Sequence, residues 1–405
     1  MGGVVIAGAG QAALDTAAAL RMGGYDREVT LVGDEGALPY SRPFLSKEFL
    51  AGQKTDAQLA LRPQAFYDDN GIRLVLGQSV ASVDRTDRTV GLSDGEQLQY
   101  TDLVLATGGS TRRLPEPVLQ SAPNVHYLRS LADAVSLRRE LVAGARMCVL
   151  GGGYIGLEVA SVARQAGLSV TVIEMAPRLL ARVAGVELAD FVVSLHHSAG
   201  VDVRLDTRAS AFGADGSGRV AEVRLANGDV LATDVLVVGI GITANDQLAR
   251  DCGLEVSDGI VVDEYCRTAD PHIYAVGDCT RHPCSEWGGL RRLESIPNAS
   301  GQARVAASMI LGRPTPYTST PWFWSTQFKR TMRTVGLRGD SDKTVVRARD
   351  GEFAAFHLSG DRIISVDVVD NPRDFAAAKR LVAAKASIAI GVLADPDVPL
   401  ATLLD

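Results

Sequence analysis

Two stretches of this chain place glycines where a nucleotide's phosphates need them. "VVIAGAGQAALDTAA", from Val4, and "VLGGGYIGLEVA", from Val149, each read as a strand that enters a helix through a glycine turn. In the second, Gly151 allows a tight turn, Gly153 lets the backbone approach a pyrophosphate, and Gly156 lets helix and strand pack closely. The first amides of the helix and its dipole then favour the phosphates. Glu174 closes the next strand, 21 residues beyond Gly153, where a carboxylate accepts hydrogen bonds from ribose hydroxyls and repels the extra phosphate of NADP. The spacing therefore favours NADH, although Arg178 and Arg182 just beyond weaken the discrimination. The first stretch has Gly8 and Gly10, with Ala13 at the third glycine position and Asp34 and Glu35 after its second strand. One such motif is a weak signal, because glycine turns join strands and helices for purely structural reasons. Two, each flanked by strand, helix and terminal acid, imply two nucleotides.

Glu158 follows the second turn at the edge of its helix's apolar face, where burial demands a cationic partner. Lys47, one of only six lysines beside 35 arginines, is a candidate; the plainer reading of Glu158 is a surface acid near the helix start. The five cysteines begin at Cys148 and contain no CxxC pair, which fits reduced structural thiols in a cytoplasmic protein. Cys279, His282 and Cys284 cluster without the fourth ligand or the spacing of a zinc site, so no metal is expected.

The elements that must carry these residues read as repeated βαβ units in a chain of 405 residues, long enough for two or three domains. A strand at 4–7, a helix at about 11–21 and a strand ending at Asp34 form the first unit, and residues 146–175 form the second. "DLVLATGG" and "DVLVVGIGIT" are matching return strands. A helix is expected near 130–143 and a longer one over 294–312. From about residue 316 the texture shifts to alternating strands with a hairpin at "SGDR", then a helix started by Asn371, Pro372 and Asp374. The fold expected is α/β: two Rossmann-like dinucleotide-binding domains followed by a smaller α+β domain. The net charge of −7 argues against a nucleic-acid or anionic-membrane surface, and neither a membrane span nor a secretory signal is expected.

The ordered set "GAGQAA", "RPFLSK", "LVLATGG", "GGGYIGLEVA", "VGIGIT", "YAVGDC", "ESIPNASGQA" and "PWFWSTQF" resembles the NADH-dependent FAD ferredoxin reductases of bacterial oxygenase systems, over nearly the whole chain. The resemblance implies a glutathione-reductase-like fold: an FAD domain from residues 1–109 and 242–315, an NADH domain at 110–241, and a C-terminal α+β domain at 316–405. It implies that Gly8, Gly10, Ala12 and Asp34 hold the adenosine end of FAD, with Lys47, Val80, Arg129, Asp278, Ile296 and Trp324 contacting the cofactor elsewhere. For NADH the matching positions are Gly151, Gly153, Tyr154, Ile155, Gly156, Glu158, Glu174, Arg182, Gly241 and Glu294. Lys47 and Glu158 would tune the flavin ring, and Tyr154 would cover it until nicotinamide arrives. The chain departs from the family at Ala244, Gly301 and Thr326, where proline, an acid and aspartate are common.

The implied activity is hydride transfer from NADH to FAD, then single-electron transfer to a 2Fe-2S ferredoxin that feeds a haem or Rieske oxygenase, by a monomer or dimer. Arg291, Arg292, Arg304, Arg313, Lys329 and Arg330 are candidate positives for an acidic ferredoxin. The alternatives are reduction of rubredoxin or another acceptor, and a non-catalytic redox-sensing flavoprotein. With no cysteine before Cys148, the dithiol relay of related disulfide reductases is not expected.

Overall fold

The structure, a computed structural model, describes residues 2–284, 287–339 and 341–403. The chain forms two compact units: Met1–Ser41, Asp56–Ser110 and Ile242–Pro321 in one, and Arg42–Thr55, Thr111–Gly241 and Trp322–Asp405 in the other. Each contains one of the glycine turns.

In the first unit, Gly3–Ala7 is fully buried and pairs in parallel with Val29–Gly33 on one side and Gln97–Leu105 on the other. Ile72–Leu76 and Ile273–Ala275 extend this parallel sheet, and Thr89–Leu92 and Val80–Asp84 add an antiparallel edge. The first helix, Gln11–Met22, buries Ala12, Ala13, Leu14, Ala17 and Leu20 against the sheet and the Ile296–Ile310 helix. Such near-continuous apolar strands are what a sheet covered on both faces requires.

The second unit repeats the plan. Asp202–Arg204, Ser169–Ile173, Arg146–Leu150, Val235–Val238 and Val125–His126 form a parallel sheet in that order. The helix Tyr154–Gln165 buries every residue from Gly156 to Ala163. The expected helix near 130–143 spans Leu131–Arg139, started by a Ser130–Asp133 capping box. Trp322–Gln327, Arg330–Gly336, Arg362–Val369, Glu352–Ser359 and Lys343–Arg349 build an antiparallel sheet, with the expected hairpin joining Glu352–Ser359 to Arg362–Val369. Asn371 caps Pro372–Ala383 through the Asp374 amide. The segment Arg42–Thr55 packs with this unit, its Phe49 ring under the Arg138 guanidinium at 5.4 Å. Among the described residues no helix is long and apolar enough to cross a membrane.

Candidate functional site

The first glycine turn is forced by sterics. Gly8 has φ +128°, and a Cβ there would lie 2.2 Å from the Ala106 carbonyl oxygen, so no other residue fits. Gly10 instead faces open space, with nothing within 4 Å of where a Cβ would stand. Gly10 starts the helix without a side-chain cap, so the first-turn amides have no side-chain acceptor. Gly277 packs closely on this turn, 3.2 Å from its would-be Cβ to that of Ala12. Gln302 fixes the Gly277 amide at 2.7 Å. Asp34 is exposed directly after its strand, while Glu35 accepts from the Tyr40 hydroxyl at 2.6 Å.

The second turn has the same construction. Gly151 has φ +104° and would place a Cβ 2.4 Å from the Gly239 carbonyl, and Gly153 faces open space at an uncapped helix start. A Cβ on Gly156 would lie 2.5 Å from the Gly151 carbonyl. The Val186–Ser198 helix also starts on an uncapped glycine, but a Cβ on Gly185 would meet the His357 ring at 2.4 Å, so it is the open space before Gly10 and Gly153 that sets these two starts apart from it. Two open, amide-lined turns fit two pyrophosphates.

Glu174 is committed on both oxygens: Oε2 accepts from the Gly152 amide and Oε1 from the Ala176 amide, each at 2.7 Å. Its remaining lone pairs are left to accept further hydrogen bonds, and the amides hold the carboxylate at the turn. Arg178 donates to the Ala184 and Ala181 carbonyls at 2.7 and 2.8 Å, which removes one of the two arginines expected to blunt discrimination against NADP. Arg182 is exposed, and its guanidinium and that of Arg112 flank Gly241. Ile155 is exposed at the helix start.

Glu158 is 2% exposed, and Lys47 Nζ lies 2.7 Å from its Oε2. Ser46 donates to the same oxygen at 2.5 Å, and Ser325 donates to Oε1 at 2.7 Å. One carboxylate thus joins three segments distant in sequence. Tyr154 packs edge-on against Phe323 at 5.0 Å, with its hydroxyl buried. Burial, and then the nearby Asp367 carboxylate, hold that phenol well above its ordinary pKa, so it is neutral. Trp324 is half-buried and stacks at a tilt on Trp322, 5.6 Å away.

Other expected positions are more scattered. Val80 opens the antiparallel edge of the first sheet and packs on the core beneath it. Arg129 receives Arg42 Nη1 on its carbonyl at 2.8 Å, and its amide donates to Asp133. Ile296 is the first residue of its helix; Glu294, in the loop before it, is exposed and paired with Arg292 at 2.6 Å. Among the basic candidates, Arg292 is held between Asp258 and Glu294, and Arg330 bonds Asp370 and the Gly351 carbonyl. Arg291, Arg304, Arg313 and Lys329 are exposed. Gly301 is buried with the Tyr317 ring above it, where a Cβ would meet Cε2 at 2.6 Å, so the acid common in the family has no room here. Thr326 faces Thr331 across the hairpin at 3.3 Å. Among the described residues no three His, Cys, Asp or Glu side chains gather as a metal site. Ser46, Ser325, Gly152 and Arg112 carried no local signal that would have singled them out.

Comparison with known proteins agrees with this architecture. Residues 2–303 match the family described as pyridine nucleotide-disulphide oxidoreductase, and residues 322–404 match the reductase C-terminal domain. The chain is 42% identical over 399 residues to rhodocoxin reductase of Rhodococcus erythropolis, covering 98% of this chain and 93% of that one. It is 39% identical over 406 residues to putidaredoxin reductase CamA of Pseudomonas putida, covering 99% and 96%. The reductase in a crystal structure of a covalent putidaredoxin reductase–putidaredoxin complex superposes with a TM-score of 0.96 at 39% identity, covering 100% of this chain and 98% of that one. With two glycine turns of matching geometry and relatives along its whole length, the chain belongs to the pyridine nucleotide-disulphide oxidoreductase family, as a member with the reductase C-terminal domain.

Proposed function

We propose that this protein is an NADH-dependent FAD ferredoxin reductase that serves an oxygenase, working in the cytoplasm. The observation that carries the reading is the presence in one chain of two glycine turns with the same open, uncapped geometry, one per nucleotide. FAD, when bound, supplies the chemistry of accepting a hydride and releasing electrons singly. The chain supplies binding, orientation and charge. Gly8, Gly10 and Ala12 cradle the flavin dinucleotide's phosphates, and Asp278 meets its polar chain; Gly151, Gly153 and Gly156 do the same for NADH, with Glu174 on the ribose. Residues 1–109 and 242–315 are assigned to FAD, 110–241 to NADH and 316–405 to the C-terminal domain. Lys47 and Glu158 place an ion pair at the reacting rings, and Val80, Arg129, Ile296 and Trp324 line the flavin.

No disulfide joins any of the five cysteines, four of which are buried, and burial pushes Cys148 up to about 12, so the electrons leave without a dithiol relay. The names of the relatives, rhodocoxin and putidaredoxin reductases, support an iron–sulfur acceptor. Cytochrome c reduction by the purified protein with NADH tests the reading. A rate that rises severalfold on adding one of a panel of 2Fe-2S ferredoxins is expected; an equal rate with every ferredoxin, or stimulation by rubredoxin alone, overturns the acceptor assignment.

A further inference from the structure

Glu158 is the end of a longer chain of side chains. Ser325, fully buried, donates to its Oε1; Gln327 Nε2 lies 3.1 Å from Ser325 Oγ, and Gln327 Oε1 lies 2.8 Å from His196 Nε2. All three are buried, on the Trp322–Gln327 strand and the Val186–Ser198 helix.

Elementary donor counting fixes the direction of every bond. A carboxylate partnered by an ammonium only accepts, so Ser325 gives its single proton to Glu158. Ser325 then receives a proton from the Gln327 amide nitrogen, which turns the amide oxygen toward His196. That oxygen also only accepts, so the imidazole carries its proton on Nε2. The other ring nitrogen, Nδ1, is then a bare lone pair, and it is the atom of this ring that has no partner. Flipping the amide reverses Ser325, strips Glu158 Oε1 of its donor and leaves a buried Nδ1–H facing nothing, which is worse at each point. Burial lowers the His196 pKa, which keeps the ring neutral. Its edge contact with Phe328, 5.0 Å between centroids, fixes its orientation, and the Phe328 amide donates to Ser161 one turn beyond Glu158 on the same helix.

We infer that His196, Gln327 and Ser325 form a one-way series of donors that orients the Glu158 carboxylate toward Lys47, which makes them positioning residues for hydride transfer. Aligned donors polarise one another, so the series holds the carboxylate more firmly than a lone serine. The inference rests on the NADH-to-FAD reading above.

The test uses the FAD-loaded protein and three variants. Gln327→Glu keeps the shape but replaces the donor with an acceptor; Ser325→Ala removes the last link; Ser325→Thr keeps the hydroxyl. Stopped-flow reduction should show a limiting rate about tenfold lower in the first two, with NADH affinity nearly unchanged and a melting temperature lowered by the buried polar atoms left unmatched, and a rate restored in Ser325→Thr. Nitrogen-15 spectra of labelled protein should show His196 protonated on Nε2 and bare on Nδ1. Wild-type rates in both Gln327→Glu and Ser325→Ala, or a proton on Nδ1, overturn the inference. Should Gln327→Glu not fold, the Ser325 pair and the nitrogen spectrum still decide it. A wild-type protein that NADH does not bleach sinks the underlying reading instead, and the nitrogen spectrum reads the hydrogen-bond direction independently.

Discussion

The two glycine turns align position for position: Gly8 with Gly151, Gly10 with Gly153, Ala13 with Gly156, and Asp15 with Glu158. At the first pair both glycines are required by positive φ and by a carbonyl pressed against the missing side chain. At the acid the copies diverge. Asp15 accepts from two uncharged donors, Gln11 on its own helix at 2.9 Å and Ser300 at 2.5 Å, the latter tying the first helix to the Ile296–Ile310 helix. Glu158, at the same helical position, takes an ammonium as well as two hydroxyls. A helix-packing contact in one copy is thus a buried ion pair in the other. In the function proposed above, the repeated scaffold binds nucleotides, and the chemistry is added at one position of one copy.

The sharpest way to break the comparison is to damage the turns in parallel. Gly8→Ala forces a methyl into the Ala106 carbonyl, and the purified protein should lose nearly all its flavin absorbance. Gly151→Ala should keep the yellow colour yet no longer be reduced by NADH; loss of flavin there would mean the turns are not separate sites. The acids come next. Lys47→Ala leaves Glu158 buried and unpaired, at a cost of about 3–5 kcal/mol in chemical denaturation, and should slow flavin reduction in a stopped-flow trace. Asp15→Asn should cost about 1 kcal/mol and leave the reduction rate alone. A smaller effect is expected at Glu174→Ala, which frees the Gly152 amide and removes the repulsion toward a 2′-phosphate. The ratio of kcat/KM for NADH over NADPH should fall by about tenfold, and an unchanged ratio would place the discrimination elsewhere. Smallest is Ala13→Gly, about 0.5–1 kcal/mol of helix stability by thermal melting with full flavin content.

What could be read from the sequence was what depends on neighbours in the chain. The strand, turn and helix of each copy, the Asn371 start and the hairpin at residues 359–362 all follow from local spacing and turn chemistry. Burial of Glu158 could be anticipated from its place on the helix, and a cation had to accompany it. The rest depends on contacts across long separations. Arg42–Thr55 groups with the second unit because Lys47 and Ser46 reach a carboxylate more than a hundred residues away. Ser325, Gln327 and His196 sit at ordinary positions of a strand and a helix, and only the folded packing joins them. Arg178 looks in sequence like a phosphate ligand, but nearby carbonyls hold it. Gly301 looks like a lost acid until the Tyr317 ring is seen to fill its space.

The central claim is that one chain holds two adenine dinucleotides whose reactive rings meet. Anaerobic titration of the purified protein with NADH, followed at the flavin absorbance near 450 nm, tests it most directly. The account predicts a yellow protein bleached by about one equivalent of NADH. A colourless protein that takes up no FAD, or a yellow one that NADH leaves unchanged, would contradict it.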